Sequence, residues 1–147
     1  MGSRKHNKAE QTKEAKKQVA FASLNNCPTS PRKMRLMADM IRGMNALQAL
    51  NVLKHSPQDA SERLYKLLMS ALENWKNKNT DIRMEDANLY IKEIGVDGAR
   101  SLKRIRTAPQ GRAHRIRKRS NHVTLVIDNR TAQINEKETA NQVIKTK

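Results

Sequence analysis

The spacing of apolar residues along the chain predicts three helices. The first begins at Ser30-Pro31, where a hydroxyl can cap free amides and proline suits the first helical position, and it ends near Gly43. The second runs from Asn45 through Lys54, and the third from residue 57 to about residue 76. The predicted buried sides are Met37, Met40, Ile41 and Met44 in the first, Ala46, Leu47, Ala49, Leu50 and Leu53 in the second, and Ala60, Leu64, Leu67, Leu68, Ala71, Leu72 and Trp75 in the third. The third stripe is the longest, so we expect its helix to lie at the centre of the core.

Three other segments have the two-residue period of strands. The first spans residues 18–24 and is expected to be half or fully buried. In the second, Leu89 and Ile91 alternate with polar residues, but Ile94 and Val96 follow on the opposite parity. Such a phase change predicts a bulge near residues 93–95. The third strand ends in the sequence HVTLVID.

The stretch between Asp97 and Asp128 contains no carboxylate and predicts a β-hairpin arm over about residues 96–121. Strand-like apolar runs stand at both ends of it, and Ala108 to Gly111 fits a type I turn at the apex. The arm has too few apolar residues for a core of its own, so we expect it to be ordered only when embedded in its partner. Its nine cationic side chains are Arg100, Lys103, Arg104, Arg106, Arg112, Arg115, Arg117, Lys118 and Arg119.

Length and charge add the following limits. At 147 residues and a formal net charge of +16, the chain can form one domain with a modest aliphatic core. We expect that domain to span residues 18–129 and to include the arm. Residues 1–17 are predicted to be a basic tail, either solvated or in contact with RNA, and residues 130–147 a polar extension. The positive charge favours nucleic acid or an anionic membrane surface as the partner.

The composition of the arm favours structured RNA. Arginine outnumbers lysine there by seven to two, and guanidinium binds phosphate through two hydrogen bonds. No aromatic residue lies among these cations, which disfavours recognition of single strands by stacking. Cations also crowd the first turns of the helix that begins at Ser30, where the helix dipole disfavours them unless an external anion is present. The predicted RNA-binding residues are Ser30, Arg32, Lys33, Arg35, Arg100, Lys103, Arg104, Arg106, Arg112, His114, Arg115, Arg117, Lys118, Arg119 and His122. For the two histidines, turn packing and a surface position without a specific role are also open.

Several classes of function lack candidate residues. No apolar run is long enough to span a bilayer and no secretory signal is present, so we expect a soluble, intracellular protein. Cys27 is the single cysteine, which excludes an internal disulfide. The four histidines lack metal-ligand spacing, and Glu85-Asp86, the densest acidic pair, is interpreted as a solubilising surface pair. We therefore predict no enzyme, no metal and no cofactor.

Three segments resemble the large-subunit ribosomal protein twenty-two family in its bacterial form. They are SPRKMRLMADMIRG at 30–43, SPQDA at 56–60 and LKRIRTAPQGRAHRIRKRSNHVTLVI at 102–127, and the resemblance covers about residues 19–128. It implies an α+β fold with three helices packed on a small three-stranded antiparallel sheet, and a long extended β-hairpin arm from two of the strands. It also implies a structural constituent of the large ribosomal subunit that binds 23S-type rRNA and assists subunit assembly.

In that family the hairpin lines the nascent-peptide exit tunnel near its constriction and near the macrolide site. The implied partners are large-subunit rRNA, neighbouring ribosomal proteins including ribosomal protein four, and the nascent peptide. No membrane partner and no homo-oligomer are expected, and the implied location is cytoplasmic, in the large ribosomal subunit. This chain departs from the family pattern at Gly98-Ala99-Arg100, where Glu-Gly-Pro is usual, and at Thr107-Ala108-Pro109, where Pro-Arg-Ala is usual. The residues that match the tunnel-lining tip are Lys103, Arg104, Arg106, Gln110, Gly111 and Arg112.

Two other classes of function stand beside this one. An architectural DNA-bending protein also uses basic β-arms with a proline near the tip, but it needs two arms, and the sequence shows no self-complementary seam for a dimer. An RNA-modifying enzyme would need a cofactor loop or a carboxylate cluster, and the sequence offers no candidate for either. Retention on large ribosomal subunits through moderate salt would distinguish the ribosomal class from a DNA-binding one.

Overall fold

Over residues 3–80, 82–84 and 87–130, which the computed structural model describes, the chain forms four helices and one three-stranded sheet. The side chains of residues 15–18 lie outside that description, as do Glu85-Asp86 and residues 131–147, which make up nearly all of the predicted polar extension. The helices are α1 (Ser3–Gln18), α2 (Pro31–Ile41), α3 (Ala46–His55) and α4 (Asp59–Lys78), and the strands are β1 (Ala20–Cys27), β2 (Leu89–Thr107) and β3 (Ala113–Asn129).

β3 is the central strand of the sheet, whose order is β1-β3-β2 with antiparallel pairing throughout. β1 ends opposite Asn121, whereas β2 stays paired with β3 as far as Thr107 opposite Ala113. We call residues 99–120, beyond the pair of Gly98 with Asn121, the arm. The predicted α+β fold with a small antiparallel sheet and a long hairpin is confirmed.

Helix α4 lies at the centre of the core, as its long apolar stripe predicts. The helix contacts α2, α3, β1 and β3. The seven residues of the predicted stripe are all buried: Ala60, Leu64, Leu67, Leu68, Ala71, Leu72 and Trp75. Opposite them, Val123, Leu125 and Ile127 of β3 are buried from the sheet side. The core is therefore aliphatic, with Trp75 as its one aromatic residue among the described buried positions.

Two residues predicted to be buried in α2 and α3 are exposed. Met40 keeps 47% of its surface accessible and Leu47 keeps 52%. The buried positions of α2 follow the spacing i, i+3, i+4 and i+7, and Met40 lies to one side of that arc. That arc consists of Met34, Met37, Ala38 and Ile41, of which Met34 and Ala38 were not predicted.

The predicted helix starts are partly right. Ser30 occupies the N-cap position of α2, but its side chain makes no capping hydrogen bond. Asn45 does cap α3, as predicted. Helix α4 begins at Asp59 and not at Pro57, because Ser56 is the C-cap of α3 and the two residues after it connect the helices.

Helix α1 was not predicted, since residues 1–17 were expected only to be a basic tail. Prediction from periodicity depends on an apolar stripe, and this segment has none. Its residues are nevertheless good helix formers, with Lys, Glu, Ala and Gln in the majority. No helix within the described ranges is both long and apolar enough to cross a membrane.

The phase change in β2 corresponds to a β-bulge. The register shifts between Ile91 and Glu93, which leaves Lys92 as the extra residue. Ile91 and Ile94 both reach the core as a result. The predicted bulge is confirmed, one residue before the predicted segment at 93–95.

Candidate nucleic-acid interface

The register of the arm assigns each of its paired side chains to one of two faces. Residues directly opposite each other in an antiparallel pair point to the same face. The first face consists of Ser101 with Arg119, Lys103 with Arg117, Ile105 with Arg115, and Thr107 with Ala113. The second face consists of Leu102 with Lys118, Arg104 with Ile116, and Arg106 with His114.

Positive charge is present on both faces. Four cations stand on the first face and three on the second. The remaining two, Arg100 and Arg112, lie at the base and beside the apex. All nine side chains are exposed, and none forms an ion pair within the described part of the chain. The arm is thus a ribbon that is cationic all round.

Two features of the arm are unfavourable in the absence of a partner. Lys103 stands directly opposite Arg117 on the first face, and like charges in that arrangement repel. The apolar side chains of the arm, Leu102, Ile105 and Ile116, are exposed, Ile105 by 77%. Polyanion binding would remove the repulsion and cover these side chains, which fits the predicted partner.

Four hydrogen bonds, two of them from Arg35, hold the base of the arm to the domain. Arg35 of α2 donates to the carbonyl oxygen of Val96. Asn121, which is completely buried, donates through Nδ2 to the carbonyl oxygen of Thr29 at 2.6 Å. The amide of Asn26 donates to Nδ1 of His122 at 3.2 Å. The base of the arm is therefore connected to α2, to the end of β1 and to the loop after β1.

These contacts bear on several predicted site residues. His122 accepts a hydrogen bond at the arm base, whereas His114 is exposed on the second face. Arg35 uses its guanidinium on a backbone oxygen of the domain itself. Arg32 and Lys33 are exposed in the first turn of α2, which carries no acidic residue. The bond from Arg35 places α2 beside the strand from which the arm extends.

A second bulge in β2 marks the base of the arm. The register shifts between Gly98 and Ser101, so that Ala99 and Arg100 together face Ser120. The sequence did not predict this bulge, because no alternation of buried residues continues into the arm to reveal it. Beside it lies an open cleft of about 850 Å³ lined by Asn26, Arg100, Ser101, Leu102, Lys103 and Ser120.

The apex differs from its predicted conformation. Gln110 has φ 62°, whereas a type I turn requires a negative φ there, so that prediction is wrong. Gly111 also has a positive φ, of 72°. The loop is closed by Ala108, whose amide donates to the carbonyl oxygen of Arg112 at 2.9 Å. A glutamine in the left-handed region costs conformational energy, and such positions are concentrated at functional sites.

The exposed side of α4 has a different electrostatic character. Asp59 pairs with Arg63 at 3.2 Å and Glu62 with Lys66 at 2.6 Å. The hydrogen bond that Lys66 donates to Glu62 holds the pKa of Glu62 below its usual value. The hydrogen bond that Arg63 donates to Asp59 raises the pKa of Arg63. The two carboxylates offset the charges of Arg63 and Lys66, so the first turns of α4 have no excess of positive charge.

The chemistry of the described residues gives no sign of a metal centre. No group of three or more His, Cys, Asp or Glu residues in those ranges could hold an ion. Cys27 is buried, with its Sγ 3.6 Å from Oγ1 of Thr29. It is a packed side chain, as expected for a lone cysteine.

Comparison with known proteins gives consistent matches. The family model described as Ribosomal protein L22p/L17e matches residues 22–128. The "Large ribosomal subunit protein uL22" of Christiangramia forsetii is 68% identical over 127 residues, which are 86% of this chain and 94% of that protein. The proteins of the same name from Flavobacterium johnsoniae and Porphyromonas gingivalis are each 61% identical, over 86% and 87% of this chain and 93% and 95% of their own length.

Proposed function

Because this chain belongs to the ribosomal protein L22p/L17e family and is a structural constituent of the large ribosomal subunit, we propose that its arm and the start of α2 bind 23S-type rRNA. Members of this family are structural proteins, which confirms the expectation that the chain is not an enzyme. The proposal includes a cytoplasmic location, within the large subunit.

The distribution of charge over both faces of the arm carries this proposal. A ribbon that lay on an RNA surface would need cations on one face only. Four cations on the first face and three on the second are the distribution expected of a ribbon with phosphates on both sides. The arm therefore inserts between RNA segments, and recognition depends on the shape and backbone of folded RNA.

The proposal extends to the tip, which lines the nascent-peptide exit tunnel near the constriction and the macrolide site. Its support is the motif match of the residues around the apex and the exposed, left-handed Gln110. Ribosomal protein four and the nascent peptide are the partners proposed there. Assistance in subunit assembly follows from the same insertion, because an arm held between RNA segments fixes them relative to one another.

The test compares a tip variant with a variant of the arm's first face. Replacement of Gln110 and Arg112, at the apex, by Ala should change the tunnel wall, and so macrolide sensitivity, more than it changes subunit assembly. Replacement of Arg115, Arg117 and Arg119 by Gln should instead reduce incorporation of a tagged copy into large subunits. Sucrose-gradient fractionation at moderate salt measures incorporation, and growth in the presence of a macrolide measures the tunnel effect.

Two results would contradict the proposal. Equal assembly defects in the two variants would contradict the division between tip and flanks. Recovery of the unaltered protein with nuclease-sensitive DNA, and not with large subunits, would favour the DNA-bending class.

A further inference from the structure

The buried row of aliphatic residues on β3 ends at an asparagine. Side chains two residues apart in a strand point to the same face, and Val123, Leu125 and Ile127 are all buried on one face of β3. Asn121 is the next member of this row towards the arm, and it is completely buried as well. The member after it, Arg119, is exposed and belongs to the arm. The core therefore ends at Asn121, where the arm begins.

Two bulges flank the level of Asn121 in the sheet, one in each neighbouring strand. In β1 the register shifts so that residues 25–26 together face His122. In β2 it shifts so that residues 99–100 together face Ser120. The rung between these two levels, which we call the base rung, is regular on both sides and consists of Cys27, Asn121 and Gly98. A bulge bends its strand and increases the local twist, so the sheet changes direction on both sides of the base rung.

The side chain of Asn121 connects the base rung to the loop before α2. Its Nδ2 donates a hydrogen bond of 2.6 Å to the carbonyl oxygen of Thr29. Thr29 immediately precedes Ser30, the N-cap residue of α2, and its hydroxyl lies 3.6 Å from Sγ of Cys27 in the base rung. The bond from Asn121 therefore fixes the rung from which the arm leaves relative to the start of α2.

Net stability alone does not account for an asparagine at this position. Oδ1 of Asn121 is buried and has no hydrogen-bond partner among the described residues. An unpaired buried acceptor costs as much as one neutral hydrogen bond gains, or more. The unpaired Oδ1 thus offsets the bond that Nδ2 makes to Thr29. What the asparagine supplies is a bond in one fixed direction.

We propose that Asn121 is the positioning residue of the arm, which sets the direction in which the arm leaves the sheet. This inference rests on the proposed function, since the direction matters only if the arm inserts between RNA segments. The arm extends about 30 Å beyond the base rung, so a tilt of about 10° there would move the tip by about 5 Å. Such a shift exceeds the length of a hydrogen bond to phosphate. Being buried, Asn121 acts through the arm and not by contact with RNA.

The test uses neutral replacements, which leave the number of cations unchanged. Asn121→Ala removes the bond to Thr29, and Asn121→Leu removes it while keeping the number and branching of the side-chain heavy atoms. Val123→Ala is the matched control, because it truncates a fully buried residue of the same row outside the base rung. Each full chain is titrated against 23S-type rRNA transcribed in vitro at a series of salt concentrations, below the melting temperature of every variant. Hydroxyl-radical footprinting is done on the same complexes.

Both Asn121 variants should reduce the slope of log K against log salt by roughly 2 or more, because each phosphate contact that a misdirected arm loses contributes about 0.7 to 0.9. They should lose protection at the nucleotides that replacement of Arg115, Arg117 and Arg119 also exposes. Val123→Ala should keep both the slope and the protection. A loss of stability lowers K, but it does not change the number of phosphates that the folded chain contacts.

Three results would refute the inference. The first is a slope in both Asn121 variants equal to that of the unaltered chain. The second is an equal loss of slope in Val123→Ala, which would trace the effect to stability. The third is the absence of cooperative melting in both Asn121 variants, which would make Asn121 a residue needed for folding itself. The arm variant at Arg115, Arg117 and Arg119 keeps the two proposals apart: without an effect there the proposed function fails, whereas an effect there beside unaffected Asn121 variants refutes this inference alone.

Discussion

Arg35 donates two hydrogen bonds to the carbonyl oxygen of Val96, from Nε at 3.2 Å and from Nη2 at 2.9 Å. Arg42, the residue that follows α2, donates from Nη2 to the carbonyl oxygen of Ile94 at 3.2 Å. Both oxygens belong to β2, an edge strand of the sheet. The two arginines thus hydrogen-bond backbone oxygens on the free edge of the strand from which the arm extends. They fix the arm base to the domain.

Arg35 and Arg32 should therefore have separable roles. Arg35→Met removes a part-buried, charge-assisted bond and should lower the free energy of unfolding by about 1.5 to 3 kcal/mol. Arg32→Met removes an exposed side chain of the same helix and should change that free energy by less than about 0.5 kcal/mol. Urea denaturation measures both values, and rRNA binding should be weakened by Arg32→Met. Equal stabilities of the two variants would contradict the assignment of Arg35 to the fold.

The opposite edge of the sheet is covered by α4. Asn74 and Lys78 bond the outward carbonyl oxygens of Phe21 and Val19, and exposed strand edges with such oxygens free tend to pair with other chains. The double variant Asn74→Ala, Lys78→Ala should self-associate as concentration rises, whereas Lys76→Ala, Asn77→Ala should not. Sedimentation velocity over a concentration series measures the difference. A double variant that remains monomeric would show that these bonds do not protect the edge.

Neighbouring residues of α4 should differ widely in their effect on stability. Leu68 is fully buried, and Leu68→Ala should lower the free energy of unfolding by about 2 to 5 kcal/mol through lost burial and a residual cavity. Met69 keeps 47% of its surface exposed, and Met69→Ala should cost less than about 1 kcal/mol. Chemical denaturation gives both values. A similar loss in the two variants would contradict the orientation of α4.

Amide exchange should divide the hairpin into two parts in the protein without RNA. Residues 100–119 form a two-stranded ribbon without a core and should exchange rapidly, because such ribbons are marginal in water. Val123, Leu125 and Ile127 pair with two strands and are buried, so their amides should be protected. Hydrogen exchange followed by mass spectrometry measures both regions. Strong protection from residue 100 to residue 119 would contradict the expectation that the arm is ordered only by its partner.

The elements that could be predicted from the sequence are those with a strong apolar period. The stripe of α4 was predicted in full, and so was the phase change before Ile94, because burial against a core imposes both patterns. The arm was predictable for the opposite reason, since a long run of cations without acids cannot belong to a core. Met40 was wrongly predicted to be buried because the buried side of α2 includes Met34 and Ala38, which the spacing of the later methionines did not reveal.

The features that escaped prediction depend on contacts between distant residues. Asn121 holds the arm base through Thr29, but in sequence it is only one polar residue before an alternating strand. The bonds from Arg35 to Val96 could not be inferred from a helix start that otherwise suits anion binding. Each case requires the tertiary position of a second residue that local periodicity does not contain.

The two faces of the arm allow a direct test of insertion into RNA. Replacement of Arg115, Arg117 and Arg119 by Gln removes three cations from the first face only. Replacement of Arg104, Arg106 and Lys118 by Gln removes three from the second face only. The two variants have the same net charge and lie in the same exposed stretch, so each is the matched control for the other.

If RNA surrounds the arm, both triple variants should reduce the slope of log K against log salt by similar amounts, roughly 2 to 3, because each set neutralises about three phosphates. If the arm lies on an RNA surface, only one variant should have this effect, and the other should bind with nearly the original slope. Titration of each variant against 23S-type rRNA at a series of salt concentrations distinguishes the two arrangements. The presence of Ile105 on the first face and of Leu102 and Ile116 on the second favours the first outcome, since insertion would cover apolar side chains that lie on opposite sides of the ribbon.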